Sequence, residues 1–360
     1  MALPGPRPRS AVLGPPLLVA ASVAAFGCSS PRAPAPAAPA APAGGDTAAT
    51  VPAPPATAPA SADASPDRAF EALSGRFLDE LFRRSPTFAT HAGDHRHDAT
   101  WPDISVQGET GQRAFLEDTR ARLAALPRDR LSPQNQIDAA ILDERLRSFE
   151  FTMDELRPYD TDPVTYISLI SGGLDPLVTR EFGTPESRMA SLAGRLEGIP
   201  AIVAVARQRL GHAARIFTET AIQQNKGLIA LVEHQLPAKF AQAAAQKDRL
   251  TAAAARAGAA LEDLQGFLEN DLLARSDGSF RLGRPLFTRK LAFALGEDVD
   301  IDAVAASARA LLVQTQAEMV DTARQIWADD KLGKLPRLDT AEHKKAFVKQ
   351  VLDHVARDRP

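Results

Sequence analysis

The amino-acid sequence predicts an all-α protein, a multi-helix domain of long packed helices preceded by an export signal and a disordered Pro/Ala tether. Three observations predict it. Apolar side chains recur at helical spacing almost without interruption from Asp67 onward. Ser-Pro and Thr-Pro pairs stand where helices should begin, the hydroxyl as cap and the proline in the first turn, where its missing N–H costs nothing. Strand-like alternation is scarce: only residues 279–282, after the Asp277-Gly278 turn, could form a short extended piece. No repeat of fixed period is present, which disfavours a regular solenoid. A hydrophobic fraction of 44% over 360 residues is ample for a buried core.

The chain opens with a targeting pattern. Arg7 and Arg9 form a basic start, and residues 11–26 are apolar or small and uncharged. Gly14, Pro15 and Pro16 make this stretch a poor long helix, so it reads as a cleaved secretory signal, residues 1–27. It ends in Ala25-Phe26-Gly27-Cys28-Ser29-Ser30, which resembles a bacterial lipobox with Ala25 where leucine is usual. Cys28, the chain's single cysteine, is the expected lipidation site. Acyl chains anchor because each buried methylene contributes roughly 0.8 kcal/mol. Residues 28–66 form the tether: 15 of the 28 prolines fall within residues 1–66, a composition that buries little. Residues 67–360 form the helical domain.

Within that domain, Phe70, Leu73, Phe77, Leu78, Leu81 and Phe82 make the first apolar stripe, which stops at Ser85-Pro86. A second runs through Phe115, Leu116, Leu123 and Leu126 to Pro127. The third starts at Ser132-Pro133 and carries Ile137, Ile141, Leu142, Leu146 and Phe149. Thr184-Pro185 opens a helix with Met189, Leu192 and Leu196 that meets Pro200 and resumes through Ile202 and Leu210. Residues 218–236 and 237–274 read as two long helices, and residues 301–327 as another. A last stripe passes through Phe347, Val351 and Val355. No closing element follows it, so the sequence is expected to be the N-terminal portion of a larger protein.

Composition narrows the chemistry. With 42 basic against 45 acidic side chains, net −3, and 6% aromatics, neither a basic face nor stacking platforms for nucleic acid are expected. The body has no thiol for cysteine catalysis. A zinc-peptidase helix presents two histidines four residues apart with a glutamate beside the first. His212, His234, His343 and His354 have no such partner. His91 and His95 have the separation, with Asp94 where an inverted motif keeps its base. Gly93 weakens a helix there by about 1 kcal/mol relative to alanine, and aspartate is shorter than the glutamate the motif uses. The stretch therefore reads as a polar loop or short turn, with Asp94 or Asp98 paired to Arg96. Gly172-Gly173 reads as a flexible break between helices, and Asp160 and Asp162 beside Pro163 as a turn.

Several stretches then form a familiar order: Ser85-Pro86-Thr87-Phe88-Ala89-Thr90, Gly93-Asp94-His95-Arg96-His97-Asp98, Trp101-Pro102-Asp103, Asn135-Gln136-Ile137-Asp138, Asp162-Pro163-Val164-Thr165-Tyr166-Ile167 and Arg195-Leu196-Glu197-Gly198-Ile199-Pro200. From about Phe70 onward the chain resembles the bacterial domain-of-unknown-function family 885, often exported or lipid-anchored. The resemblance implies a large helical fold similar to zinc-dependent peptidases, with a His-Glu-x-x-His helix in the C-terminal half. No position here matches that motif, so no catalytic, metal or cofactor residue is assigned; zinc is expected only with a downstream metal motif. Asp94, His95, Arg96 and Tyr166 are the polar candidates the resemblance suggests. The expected function is the N-terminal part of a lipid-anchored, zinc-dependent hydrolase, inactive by itself, with the membrane and a peptide substrate as partners. The alternative is a non-enzymatic envelope lipoprotein acting as a binding or scaffold module.

Overall fold

The structure, a computed structural model, describes residues 65–358. The signal and the lipidation site at Cys28 lie outside the described residues. The described chain is all-α. Its first layer is α1 (Pro66–Arg84), α2 (Pro86–Ala92), α3 (Val106–Ala124) and α4 (Pro133–Phe151). The Ser132-Pro133 start acts as expected, the Ser132 hydroxyl accepting from Asn135 N at 3.4 Å; Ser65-Pro66, expected to belong to the tether, instead caps α1 in the same way, Ser65 accepting from Arg68 N at 3.3 Å. Asp67 ties the two starts together, accepting from Ser132 N at 2.9 Å and Asn135 Nδ2 at 2.7 Å. Phe70, Leu73, Phe77, Leu116, Leu142 and Leu146 meet in one buried cluster, the core of this layer.

A larger core forms among α6 (Val164–Thr179), α7 (Pro185–Arg209), α8 (Arg215–Ala230) and α9 (Lys247–Asn270). A single turn, α5 (Pro158–Thr161), leads into it. α7 packs chiefly on α9 and α6. It is the one described helix long and apolar enough to cross a membrane, yet half of that apolar window is buried inside the fold, so it is a core helix. Its start is a capping box, Thr184 Oγ1 accepting from Ser187 N and Ser187 Oγ from Thr184 N, both at 3.1 Å.

Four expectations about the elements need correction. Gly172-Gly173 is not a break but lies inside α6. A Cβ on Gly173 would stand 2.3 Å from the Trp101 ring, so the glycine is there for close approach. Pro200 does not interrupt α7; the lost backbone bond, about 3 kcal/mol in an unsupported helix, is outweighed by burial of Leu196, Ile199, Ile202 and Val203 around it. The helix expected to reach residue 236 ends at Ala230. A π-turn (Leu231–Gln235) and short 3-10 turns follow before α9 begins at Lys247, because Val232, Leu236 and Phe240 must turn inward to fill the core. Residues 279–282 form no strand: Gly278 makes an isolated parallel bridge to Ala214.

The last elements are α10 (Gly283–Leu295), α11 (Ile301–Asp329) and α12 (Ala341–Asp358). α10 was not anticipated from sequence and buries no residue fully, though its Phe293 ring lies 5.3 Å from Phe151 of α4. Ala323 and Trp327 of α11 join Phe347 and Val351 of α12 in a third small cluster. The first half of α11 is bare: Leu311, Leu312 and Val313 are 61%, 57% and 68% exposed.

Candidate functional site

Two polar groups of side chains are built into this frame. The first forms where the turn after α2 meets α6 and α7. Gly93, at φ 90°, ends α2 in the left-handed conformation and throws residues 94–98 back across the layer. Asp98 is almost fully buried. Its carboxylate accepts from Thr90 Oγ1 at 2.6 Å and from His95 Nδ1 at 2.9 Å. Thr90 Oγ1 in turn accepts from Arg195 Nη2 at 3.1 Å, and Arg195 Nη1 donates to Gly173 O at 3.3 Å. The guanidinium of Arg195 is wholly buried, 4.8 Å over the Trp101 ring, while the Trp101 indole donates to Arg195 O at 2.7 Å. Burial pulls its pKa down to about 10, opposed by the field of Asp98. The His95 ring stacks on Phe182 at 3.7 Å.

Of the four candidates from sequence, Asp94 and Arg96 pair with one another as expected, Nε to Oδ2 at 2.9 Å, and Arg96 also reaches Asp79 at 2.9 Å. The bond from Arg96 holds the Asp94 carboxyl below its usual range. His95 faces the other way, toward Asp98, so the three adjacent residues serve two separate contacts. The carboxylate orients the imidazole with Nδ1 directed inward, which leaves Nε2 on the side away from Asp98. Among the described residues no hydroxyl or thiol is bonded to that nitrogen.

The same geometry tests His91 and His95 as a zinc pair, and they do not fit. His91 Nε2 lies 3.1 Å from Gly172 O, an acceptor, so that nitrogen carries the proton. The lone pair on Nδ1 faces the Arg180 guanidinium at 3.4 Å. A metal needs a free lone pair and would here meet a cation instead. His212, His343 and His354 each pair with one aspartate, at 3.0, 2.6 and 2.8 Å.

The second group surrounds a cavity of about 190 Å³ between the two cores. Leu81, Ile104, Phe149 and Met153 supply apolar walls, and Arg84, Glu109, Gln112, Arg157 and Tyr159 supply polar ones. Arg209, at the end of α7, braces it. Its guanidinium donates to Asp160 Oδ1 at 2.9 Å, Glu109 Oε2 at 2.5 Å and Ile104 O at 2.8 Å, and lies 5.6 Å from the Tyr159 ring centre. Desolvation works against its charge, but the bonds from Asp160 and Glu109 exceed that and hold its pKa above the ordinary value. The backbone beside it is unusual. α4 runs into a π-turn (Thr152–Leu156), and Arg157 follows at φ 46°, left-handed for a residue with a Cβ. Such a conformation costs about 1–3 kcal/mol and collects at working sites. Tyr166, the fourth candidate, does not line the cavity and shares no hydrogen bond or ring contact with Asp94, His95 or Arg96; it packs against Tyr159, ring centres 5.5 Å apart. It is buried, and its hydroxyl donates to Tyr159 O at 2.8 Å. Burial raises its pKa. Tyr159 lines the cavity, and its own hydroxyl takes no hydrogen-bond partner among the described residues.

Sequence reading had not singled out Arg195 and Arg209. A signal was present: Leu192, Arg195, Ile199, Ile202, Ala206 and Arg209 share one helical stripe, so two arginines occupy apolar positions of a core helix.

Comparison with known proteins gives a family match and a structural one. A family model described as "Bacterial protein of unknown function (DUF885)" matches residues 86–359. The structure of a candidate lipoprotein of unknown function from Shewanella oneidensis matches with a TM-score of 0.66 at 24% identity, covering 79% of this chain and 52% of that one. This chain therefore spans about half the length of that structure, and at this identity the likeness is one of fold. No curated protein matches.

Proposed function

The chain belongs to the bacterial domain-of-unknown-function family 885, and from that premise we propose that it is an exported, lipid-anchored protein whose Arg209-braced cavity binds one apolar side chain of a peptide. The observation that carries this reading is the cavity itself. At about 190 Å³ it falls below the roughly 300–1,000 Å³ of sites for whole small molecules, so it suits a single side chain. Its apolar walls would desolvate that side chain, while the Tyr159 hydroxyl and the Arg157 guanidinium address the polar backbone beside it. The anchor rests on Cys28 in its lipobox-like setting and on the S. oneidensis relative being described as a candidate lipoprotein. Hydrolysis, implied by the resemblance, is a second reading in which this region is one wall of a cleft. Its metal ligands would be residues other than those described.

Titration calorimetry with short peptides carrying a central leucine or phenylalanine tests the binding. Met153→Trp, which fills the cavity, should weaken binding at least tenfold with the circular dichroism unchanged. Equal affinity of the variant would end the proposal. Radiolabelled palmitate should enter the chain in cells and fail to enter Cys28→Ser; label in that variant would remove the anchor from the reading.

A further inference from the structure

The chain carries net −3, yet the groove between α1 and α3 is lined by five arginines, Arg76, Arg83, Arg84, Arg96 and Arg122, against three acids, Asp79, Glu80 and Asp118. The groove encloses about 720 Å³. Part of its wall is a stacked pair, Phe77 and Phe115, with ring centres 5.6 Å apart and planes within 10°. The Arg84 guanidinium lies 5.3 Å from the Phe115 ring centre.

The three acids brace the arginines, and with Asp94 bonded to Arg96 from beside the groove they leave one positive charge in excess. Glu80 takes both Arg83 Nε and Arg84 Nε at 2.7 Å, and Asp118 takes Arg122 Nε at 2.7 Å. A guanidinium gripped through Nε keeps the donors of both terminal nitrogens. For Arg84 and Arg122 those nitrogens have no partner among the described residues. Arg76 makes no hydrogen bond or ion pair at all there; only the field between it and Asp118 connects it to the others. Unrelieved positive charge in one groove is repulsive, and a bound anion relieves it.

We propose that this groove binds a phosphate-type oxyanion, its oxygens held by the guanidinium forks of Arg76, Arg84 and Arg122 and its apolar substituent lying on Phe115. Arginine forks match the geometry of phosphate oxygens two at a time, which a lysine's single ammonium does not. The anion could be free or the headgroup of an anionic lipid, since α1 is the first helix after the segment expected to lead from Cys28.

The test uses the full chain with Cys28→Ser, so that no anchor contributes. Calorimetry at low salt measures inorganic phosphate and pyrophosphate; co-sedimentation measures vesicles of phosphatidylglycerol against phosphatidylcholine. Pyrophosphate should bind more tightly than phosphate. The double variant Arg76→Ala/Arg122→Ala should weaken it at least tenfold, and Arg122→Lys, which keeps the charge but not the fork, by an intermediate factor. Both positions are exposed, and Arg122→Lys gives the same readout should the double variant lose its helical dichroism. Phosphatidylglycerol vesicles bound by the parent and released by these variants, with no uptake of free pyrophosphate, would assign the site to lipid headgroups and uphold it. Two results overturn the proposal: no binding of either probe, or binding that ignores Arg76 and Arg122. Polyglutamate held as tightly as pyrophosphate through the same arginines would also overturn it, pointing to an acidic partner.

Discussion

One missing methyl group governs how α6, α7 and the Trp101 segment come together. At Gly173 an added Cβ would sit 2.3 Å from the Trp101 ring and 2.8 Å from Arg195 Nη1. Neither neighbour can retreat freely, because the indole is bonded to Arg195 O and the guanidinium to Thr90 and Gly173. Gly173→Ala should therefore destabilise the protein by about 1–3 kcal/mol, the usual result of overpacking, despite alanine's better helix propensity. Urea unfolding measures it, and an unchanged midpoint would show that the Trp101–Arg195 stack yields easily. Residues like this were the hardest to read from sequence. Glycine marks either freedom or closeness, and only the partner across the gap decides which. Arg195 carried a clearer sign, a cation on an apolar stripe, but its partners Thr90 and Asp98 are about a hundred residues earlier in the chain.

At the scale of the element, α1 shows how one carboxylate secures a helix end. Glu80 bonds Arg83 and Arg84 in the last turn, where positive charge also suits the helix dipole. The Arg83 bond is the largest cause of a Glu80 pKa lowered from 4.5 to about 2. A carboxyl whose folded pKa lies below its ordinary value adds stability that is complete above about pH 4.5 and lost as pH falls toward 2. The groups are partly wet, so the contribution should be under about 1 kcal/mol. Glu80→Gln should remove that part of the acid limb of a stability–pH curve and leave the curve near neutrality lowered by the same amount. An acid limb unchanged in the variant would contradict this account. Two element starts were legible in sequence because Ser132 and Thr184 announce them with a proline following, while Ser65-Pro66 was hidden by the proline-rich stretch it ends. Residues 231–246 were not, because alanine and glutamine there favour a helix that the burial of Val232, Leu236 and Phe240 overrides. α10 gave no stripe to read because it buries no side chain fully.

At the scale of the molecule, the two larger cores meet across the Arg209 cavity, so binding there and the joint between layers share the same residues. The all-α class was visible from periodicity alone; the cavity was not, since Leu81, Ile104, Glu109, Phe149 and Tyr159 come from five different segments. α11 stands apart from both cores over its first half. Wetted on most sides, that stretch rests on its Asp300 cap and its own backbone bonds, so it opens to solvent more readily than α7 or α9. Arg309 is the one basic residue between positions 303 and 323. Brief trypsin treatment of the native protein should therefore nick the chain after Arg309 early, as a proteolytic weak point within an unbroken helix, while fragments carrying α1 to α9 resist digestion.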